Sequence, residues 1–440
     1  MAVINTVYEN PIILPPKVAY GKNIAIVGTS TKGLLYNPVY VSTLQEAKRF
    51  FGEGDLVDAY EEVSLGGGKY IYFVRMEDLS SDSFTKALEV IQDYPIHIVV
   101  PVGIFFDDEG YAKILSAHCA NKNPYGECIG VMGVTPFPSI VKFDREEEES
   151  VLDYCQRVDP LIEEKVNNLY FNNLANSGFG DSGVYLNVVF AEVLADVSSS
   201  IRFVSGHTIY AGLLASLNPG VSPVNKSLPG AERLRFKLKE GLRKTEKVSL
   251  TAVPFKLNRR PVSKLQVVSQ DVTPVVYKEG FDYIVGYEEG TIALAAGSNI
   301  SEEVNITYVY DDHVALSSVG FVTFREFVKN GISPASSVTM SKSDLRHVQD
   351  LRIMQDIGWF IRELSNNLVG SSSVGARTIS TLETEIKKYL DLKRKASKIV
   401  FYDLYIRQTD NFRNLEVHLD IELRDSLRLH DVVVRMLLAR

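Results

Sequence analysis

"NIAIVGTSTKGLLYNPVYVSTLQEAKRFFG", residues 23–52, decides how the first half of this chain is read. It opens with a short apolar run closed by glycine, the pattern of a strand buried on both faces. Residues 42–52 read as a helix: Thr43 with Glu46 makes a capping box, and Gly52 closes it in the left-handed region that glycine enters freely. The unit then repeats. "KYIYFVR" (69–75), "IHIVVP" (96–101), "IGVMGV" (129–134) and "VYLNVVF" (184–190) read as strands, with helices over 83–94 and 110–120. A long acidic helical region, broken at Asp159-Pro160, runs from about Arg145 to Leu174. Such alternation predicts an α/β core, a mostly parallel or mixed sheet flanked by helices.

The candidate chemistry along this half fails on inspection. "GTSTKGLL" (28–35) spaces Gly28 and Gly33 as a phosphate-binding loop does, but Leu34 and Leu35 stand where that loop needs lysine and a hydroxyl. The glycines are better read as turning the chain. "GGG" (66–68) precedes a strand and has no helix directly after it, so a dinucleotide fingerprint fails and loop flexibility is expected. The carboxylates Glu146 to Glu149 point all round a helix and suit a solvated helix start. Cys119, Cys128 and Cys155 have no metal-ligand spacing and are expected to be buried free thiols. No cofactor, metal or catalytic residue is expected.

With 440 residues the chain has room for two or three domains, and its 45% hydrophobic and 23% charged content is that of packed protein. No apolar run reaches membrane-helix length and no signal peptide is evident, so a soluble protein of cytoplasmic origin is expected, without membrane insertion. The net charge of −8 disfavours nucleic acid as a partner. Charge is unevenly placed: residues 101–196 hold 16 acidic and 6 basic side chains, residues 232–264 hold 11 basic and 3 acidic. These are either two solvated faces or complementary surfaces that steer self-association.

"LASLNPGVSPVNKSLPG" (214–230) is rich in proline, glycine and serine and holds nothing suited to acid–base work. It reads as a connection, with prolines fixing its path and Gly220 and Gly230 turning it. From about Thr245 to Asp312 short strands and turns predict a small sandwich or barrel, with a hairpin at Glu289-Gly290. Helical periodicity returns after Ser341, which with Asp344 suggests a cap. Leu345, Val348, Leu351, Met354, Ile357, Phe360, Ile361, Leu364 and Leu368 fall on one face. A second helix (380–398) has an apolar seam of Leu382, Ile386, Tyr389 and Leu390, and a basic face of Lys387, Lys388, Lys393, Arg394, Lys395 and Lys398.

Both ends are apolar. "LEVHLDIEL" (415–423) alternates strictly, with Leu415, Val417, Leu419, Ile421 and Leu423 on one face; at ~30 Å it is a long strand. Val432, Val433, Val434 and Met436 follow, and Val3, Ile4, Val7, Ile12 and Ile13 make the start equally sticky. Terminal strands of this kind fold back, pair with a neighbour's edge or aggregate. If they add to sister molecules, the protein is a polymer subunit joined by main-chain hydrogen bonds.

The stretch 23–52, the segment "GHTIYAGLLASLNPGVSPVNKSLPGAERL" (206–234) and "RTISTLETEIKKYLDLKRKASKI" (377–399) with the strand and tail after it resemble, in this order, the tail sheath proteins of contractile-tailed bacteriophages and contractile injection systems. With the resemblance the chain divides into an N-terminal extended arm at 1–22, an α/β sheath domain at 23–235, an α+β C-terminal domain at 319–412 and a C-terminal strand and arm at 413–440, while the β-rich segment departs from the commonest family pattern and reads as a module inserted at 236–318. The resemblance implies a structural subunit that stacks as hexameric rings around a tail tube and contracts to drive that tube through an envelope. The partners would be the protein itself, the tube protein, and baseplate and neck or tail-terminator proteins. The location would be the virion tail, assembled in the bacterial host cytoplasm. The residues of both ends named above would be inter-subunit arms, and the basic helix would face the tube. The alternatives are another phage tail or baseplate component, and a nucleotide- or sugar-binding α/β enzyme.

Overall fold

Strand β1 (Asn23–Gly28) is buried along its whole length. Ile24 and Ile26 enter one core, while Ala25 and Val27 enter the core on the opposite face of the sheet. The computed structural model describes residues 20–108, 110–121, 127–135, 177–190, 192–197, 200–235, 242–258, 262–270, 275–287, 289–300, 303–310, 316–317, 320–327, 331–341, 346–368, 376–408, 414–423 and 429–437. The acidic helix expected between Arg145 and Leu174, together with Cys155, lies outside them.

β1 sits inside an eight-stranded sheet. With β2 (Val39–Val41), β3 (Tyr70–Arg75), β4 (Ile98–Pro101), β5 (Ile129–Gly133), β6 (Leu186–Phe190), β16 (Phe321–Phe327) and β17 (Gly331–Pro334), the order is β17-β16-β6-β5-β4-β1-β3-β2. The six inner strands are parallel; β2 and β17 run antiparallel at the two edges. Helices α1 (Leu44–Phe51), α2 (Asp55–Leu65) and α5 (His207–Ser216) cover one face, and α3 (Ser81–Ile91) and α4 (Tyr111–Ala120) the other. The mixed sheet flanked by helices matches the sequence expectation. The division at 319 does not follow the sheet: β16 pairs in parallel with β6, so residues 321–334 complete the α/β layer.

Local signals explain most element ends. Thr43 Oγ1 accepts the Glu46 N–H at 3.2 Å, while the Glu46 carboxylate takes the Ser42 N–H at 2.9 Å, one residue before the cap. Helix α2, which the sequence reading does not anticipate, leads into the glycine triplet. Those glycines are a packing contact and not a flexible loop: a Cβ on Gly66 would lie 2.0 Å from the Ile209 carbonyl oxygen, and one on Gly212 would lie 2.0 Å from that of Val63. Helices α2 and α5 cross there with no side chain between them. At Gly33 (φ 99°) a Cβ would strike the Phe51 ring, and Arg75 donates to the Ser30 and Gly33 carbonyls. The loop after β1 thus turns carbonyls toward a guanidinium, the reverse of a phosphate cradle.

A hairpin of β7 (Glu192–Val197) and β8 (Ser200–Ser205), joined by β9 (Leu234–Arg235), leads from this layer toward the β-rich module. There β10 (Leu242–Ser249), β15 (Glu303–Tyr310) and β12 (Val262–Ser269) form one antiparallel sheet. The second contains β11 (Phe255–Lys256), β14 (Thr291–Leu294) and β13 (Tyr283–Gly286), the last two being the hairpin expected at Gly290. Val267, Tyr283, Ile292, Val304 and Ile306 share one core between the sheets. A third unit consists of helices α6 (Val348–Leu368) and α7 (Ala376–Lys395) under the sheet β18 (Ile399–Gln408), β19 (Asn414–Leu423) and β20 (Leu429–Leu437). α6 starts at Val348, later than the cap expected at Ser341, which is buried.

The α2–α5 crossing gives a direct test. Gly212→Val forces branched carbons against backbone, and overpacking of this kind costs about 1–3 kcal/mol. A lowered urea midpoint is expected, whereas Gly280→Ala, whose Cβ would meet nothing within 4 Å, should cost less despite its positive φ.

Candidate assembly interface

The alternating segment 415–423 becomes β19, and its place is the middle of the C-terminal sheet. β18 pairs along one edge, from Gln408 opposite Leu415 to Ile399 opposite Leu423. β20 pairs along the other, with Met436 opposite Leu415, Val434 opposite Val417, Val433 opposite His418 and Val432 opposite Leu419. Val417, Leu419, Ile421 and Leu423 are fully buried against Ile353, Ile357 and Ile361 of α6 and Leu382, Ile386 and Leu390 of α7. The sequence reading groups 415–423 with the arms. In the isolated chain this strand has no free edge, because a neighbour of the same chain occupies each side. Strand β20 is paired on one side alone among the described residues. Val3, Ile4, Val7, Ile12 and Ile13 lie outside them.

β18 ends the sheet on its other side and carries no further strand among the described residues. Its outward row is Phe401, Asp403, Tyr405 and Arg407, all exposed. Opposite them stand Glu422, Asp420, His418 and Glu416. Asp403 and Asp420 stand directly opposite each other, and like charges so placed weaken a sheet. An unpaired ten-residue edge with exposed aromatics is a surface on which another strand can add.

The basic face of α7 divides in two. Lys387 pairs with Glu383 at 2.5 Å, Lys388 with Glu385 at 2.6 Å and Arg394 with Asp391 at 3.0 Å; these and Lys395 point outward. Lys393 turns inward to Asp356 of α6 and lies over the Tyr389 ring, which stacks on Phe360 with centroids 3.8 Å apart. Lys398, past the helix end, donates to the Gly220 carbonyl at 2.6 Å. The outward cations available to a partner are therefore Lys387, Lys388, Arg394 and Lys395.

Lys398 leads to the Pro/Ser connection. Lys22 donates to the Ser216 and Leu217 carbonyls at 2.9 and 3.2 Å, and Arg352 of α6 donates to Leu217 O at 3.0 Å. Three cations from distant parts of the chain thus hold the carbonyls at and beyond the C-terminal end of α5, where positive charge is favoured. Gly220 (φ 77°) and Gly230 both lie in turns, as expected, and Gly230 also packs against Leu65. The connection is a strap joining the α/β layer to the C-terminal unit. Sequence periodicity missed this seam, although the polar residues Asp350, Arg352, Gln355 and Asp356 within one helix were its signal, and all four are buried.

Tyr20 closes the seam. It donates to Gln355 Oε1 at 2.5 Å and meets the His97 ring edge-on at 4.7 Å. His97 Nδ1 accepts the Asn23 N–H at 3.1 Å, and burial, with the Arg352 charge beside it, pushes its pKa down to about 3. The ring stays neutral. Arg352 is 1% exposed, and burial draws its pKa down as well. Among the described residues no group of three His, Cys, Asp or Glu side chains can hold a metal, and no helix is long and apolar enough to cross a membrane.

This arrangement is the fold of contractile tail sheath proteins. The sheath tail protein of Desulfitobacterium hafniense matches 98% of this chain over 100% of its own, with a TM-score of 0.53 and 10% identity. That of Listeria innocua matches 96% over 97%, with a TM-score of 0.55 and 9% identity. The helical sheath of the anti-feeding prophage in its contracted state matches 100% over 97%, with a TM-score of 0.51 and 10% identity. At these identities the likeness is one of fold. No protein-family model and no curated protein matches the sequence.

Two outcomes are expected from the seam. Lys393→Ala leaves Asp356 half-compensated in a buried setting and lowers stability by about 1–3 kcal/mol; Lys387→Ala, which breaks an exposed pair, changes it far less. For His97, the unfolded ring gains its proton near 6.5 and the folded ring only near 3. Its contribution is therefore present above pH 6.5 and is lost as the pH falls from 6.5 toward 3. Chemical unfolding of His97→Gln across that window should show a shallower loss of stability than the wild type.

Proposed function

We propose that this chain is the structural subunit of a contractile tail sheath. It polymerises with itself as stacked hexameric rings around a tail tube, and contraction rotates and packs the subunits so that the tube is driven through the target envelope. The observation that carries the reading is the end-to-end likeness to sheath structures, which spans 96–100% of this chain in the three comparisons above. An unrelated α/β enzyme would match over its core and diverge elsewhere.

The C-terminal sheet supplies the joints in this reading. β19 is the fixed template. β20, with Val432, Val433, Val434 and Met436, leaves its own β19 and takes the same register on the β19 of a neighbouring copy, a strand exchange that conserves every backbone hydrogen bond. The N-terminal arm, with Val3, Ile4, Val7, Ile12 and Ile13, adds to the open edge of a neighbour's β18. Main-chain pairing survives large rigid-body movement because the segments between strand and body bend while the ladder persists. The outward face of α7, with Lys387, Lys388, Arg394 and Lys395, meets the tube. Baseplate and neck or terminator proteins cap the polymer. The particle is a virion tail or injector assembled in the bacterial cytoplasm.

Electron micrographs of the purified chain should show rings, tubes or contracted cylinders. Removing residues 1–19, or 424–440, should leave a folded monomer that no longer polymerises. A full-length chain that stays a monodisperse monomer across salt and concentration would sink the proposal. Charge reversal of Lys387, Lys388 and Lys395 to Glu separates the tube contact: self-assembly persists while co-assembly with the tube is lost.

A further inference from the structure

Helix α4 delivers Cys119 to its last turn, and Cys128 stands just before β5. The Cys128 N–H donates to the Cys119 carbonyl at 3.2 Å, so the two backbones touch directly. A direct backbone hydrogen bond brings two residues into the neighbourhood a disulfide needs, whose Cα atoms lie roughly 4.4–6.8 Å apart. Both cysteines are free and buried. The two thiols lie within electrostatic reach of each other, and Cys128 within that of His118. Gly130 of β5 leaves the space: a Cβ there would lie 3.3 Å from the Cys119 sulfur.

The two sulfurs are not equivalent. Cys119 and His118 draw the Cys128 thiol down to about 6, whereas burial and the facing sulfur push Cys119 up. In a thiol pair the sulfur that loses its proton first is the nucleophile and the other resolves it. The sheath role uses neither.

We propose that Cys119 and Cys128 form a dithiol–disulfide site whose oxidant is a hydroperoxide. The Cys128 thiolate attacks one peroxide oxygen, the O–O bond breaks, and the leaving hydroxide takes a proton to become water. Cys128 then carries a sulfenic acid. The Cys119 sulfur gives up its proton and displaces that oxygen as a second water, forming the S–S bond. Two thiols lose two electrons and two protons, and one hydrogen peroxide becomes two waters. Burial makes the reaction slow, because peroxide reaches the pair through local opening at the end of α4. The bond acts on the seam: the Cys128 carbonyl accepts from Gln355 Nε2 at 3.3 Å, and the adjoining Glu127 faces Arg362 at 3.8 Å.

The test uses the full chain, folded, exposed to hydrogen peroxide, then unfolded, alkylated and mapped by mass. The expected result is loss of two of the three alkylatable cysteines as a Cys119–Cys128 cross-link, reversed by dithiothreitol. Cys119→Ser should stop at a sulfenic acid on Cys128 that dimedone labels; Cys128→Ser should leave Cys119 unmodified. Should either variant fail to fold, the wild-type map decides alone. Both thiols still alkylatable after prolonged exposure, cross-links running through Cys155, or dimedone on Cys119 would each overturn the assignment. Polymerisation is not the readout, so failure here leaves the sheath proposal standing.

Discussion

A guanidinium with 1% of its surface in water holds this molecule together. Burying an ion costs several kcal/mol unless acceptors and opposite charge surround it. Arg352 meets part of that demand with the Leu217 carbonyl at the negative end of α5, and Tyr20, Tyr210 and Asp356, one turn along its own helix, lie close enough to act on its charge. They come from three parts of the chain: the entry at Tyr20, α5 with its end, and α6 itself. The seam forms only when the α/β layer, the N-terminal entry and the C-terminal unit are all in place.

Helix α6 explains why those parts behave as one body. Val348 and Leu351 belong to the core on one face of the large sheet, while Ile353, Ile357 and Ile361 belong to the C-terminal core. A helix shared by two cores transmits rotation without a hinge, since close-packed interiors do not deform continuously. The strap from Leu217 to Gly220 adds a second tie, fastened by Lys22, Arg352 and Lys398. The β-rich module is held differently, as an excursion of the chain between β9 and β16 with its own sandwich core.

Much of this was legible in the residues. Alternation of short apolar runs with capped helices gave β1 and β3 to β6 with α1, α3 and α4, because buried strands and helix caps leave local marks. The rejection of a phosphate loop at 28–35 rested on two leucines, and Arg75 bonded to its carbonyls supplies the structural reason. The glycine triplet was legible as unusual but not as a crossing point, since its partner Gly212 is far away in sequence. The lysines of α7 formed one patch on a helical wheel, yet Lys393 and Lys398 face inward, because Asp356 and Gly220 O reach them through folding.

The sequence alone determined the local periods: which segments are strands or helices, that the chain changes character after residue 230, and that 415–423 has one oily face. Tertiary structure decided the partners. It made β19 a central strand, brought residues 321–334 back to the first sheet, and wrapped α6 in two cores. Periodicity is written within a few neighbouring residues, whereas pairing can join segments as distant as β6 and β16, more than a hundred residues apart, and no local pattern encodes which edge meets which.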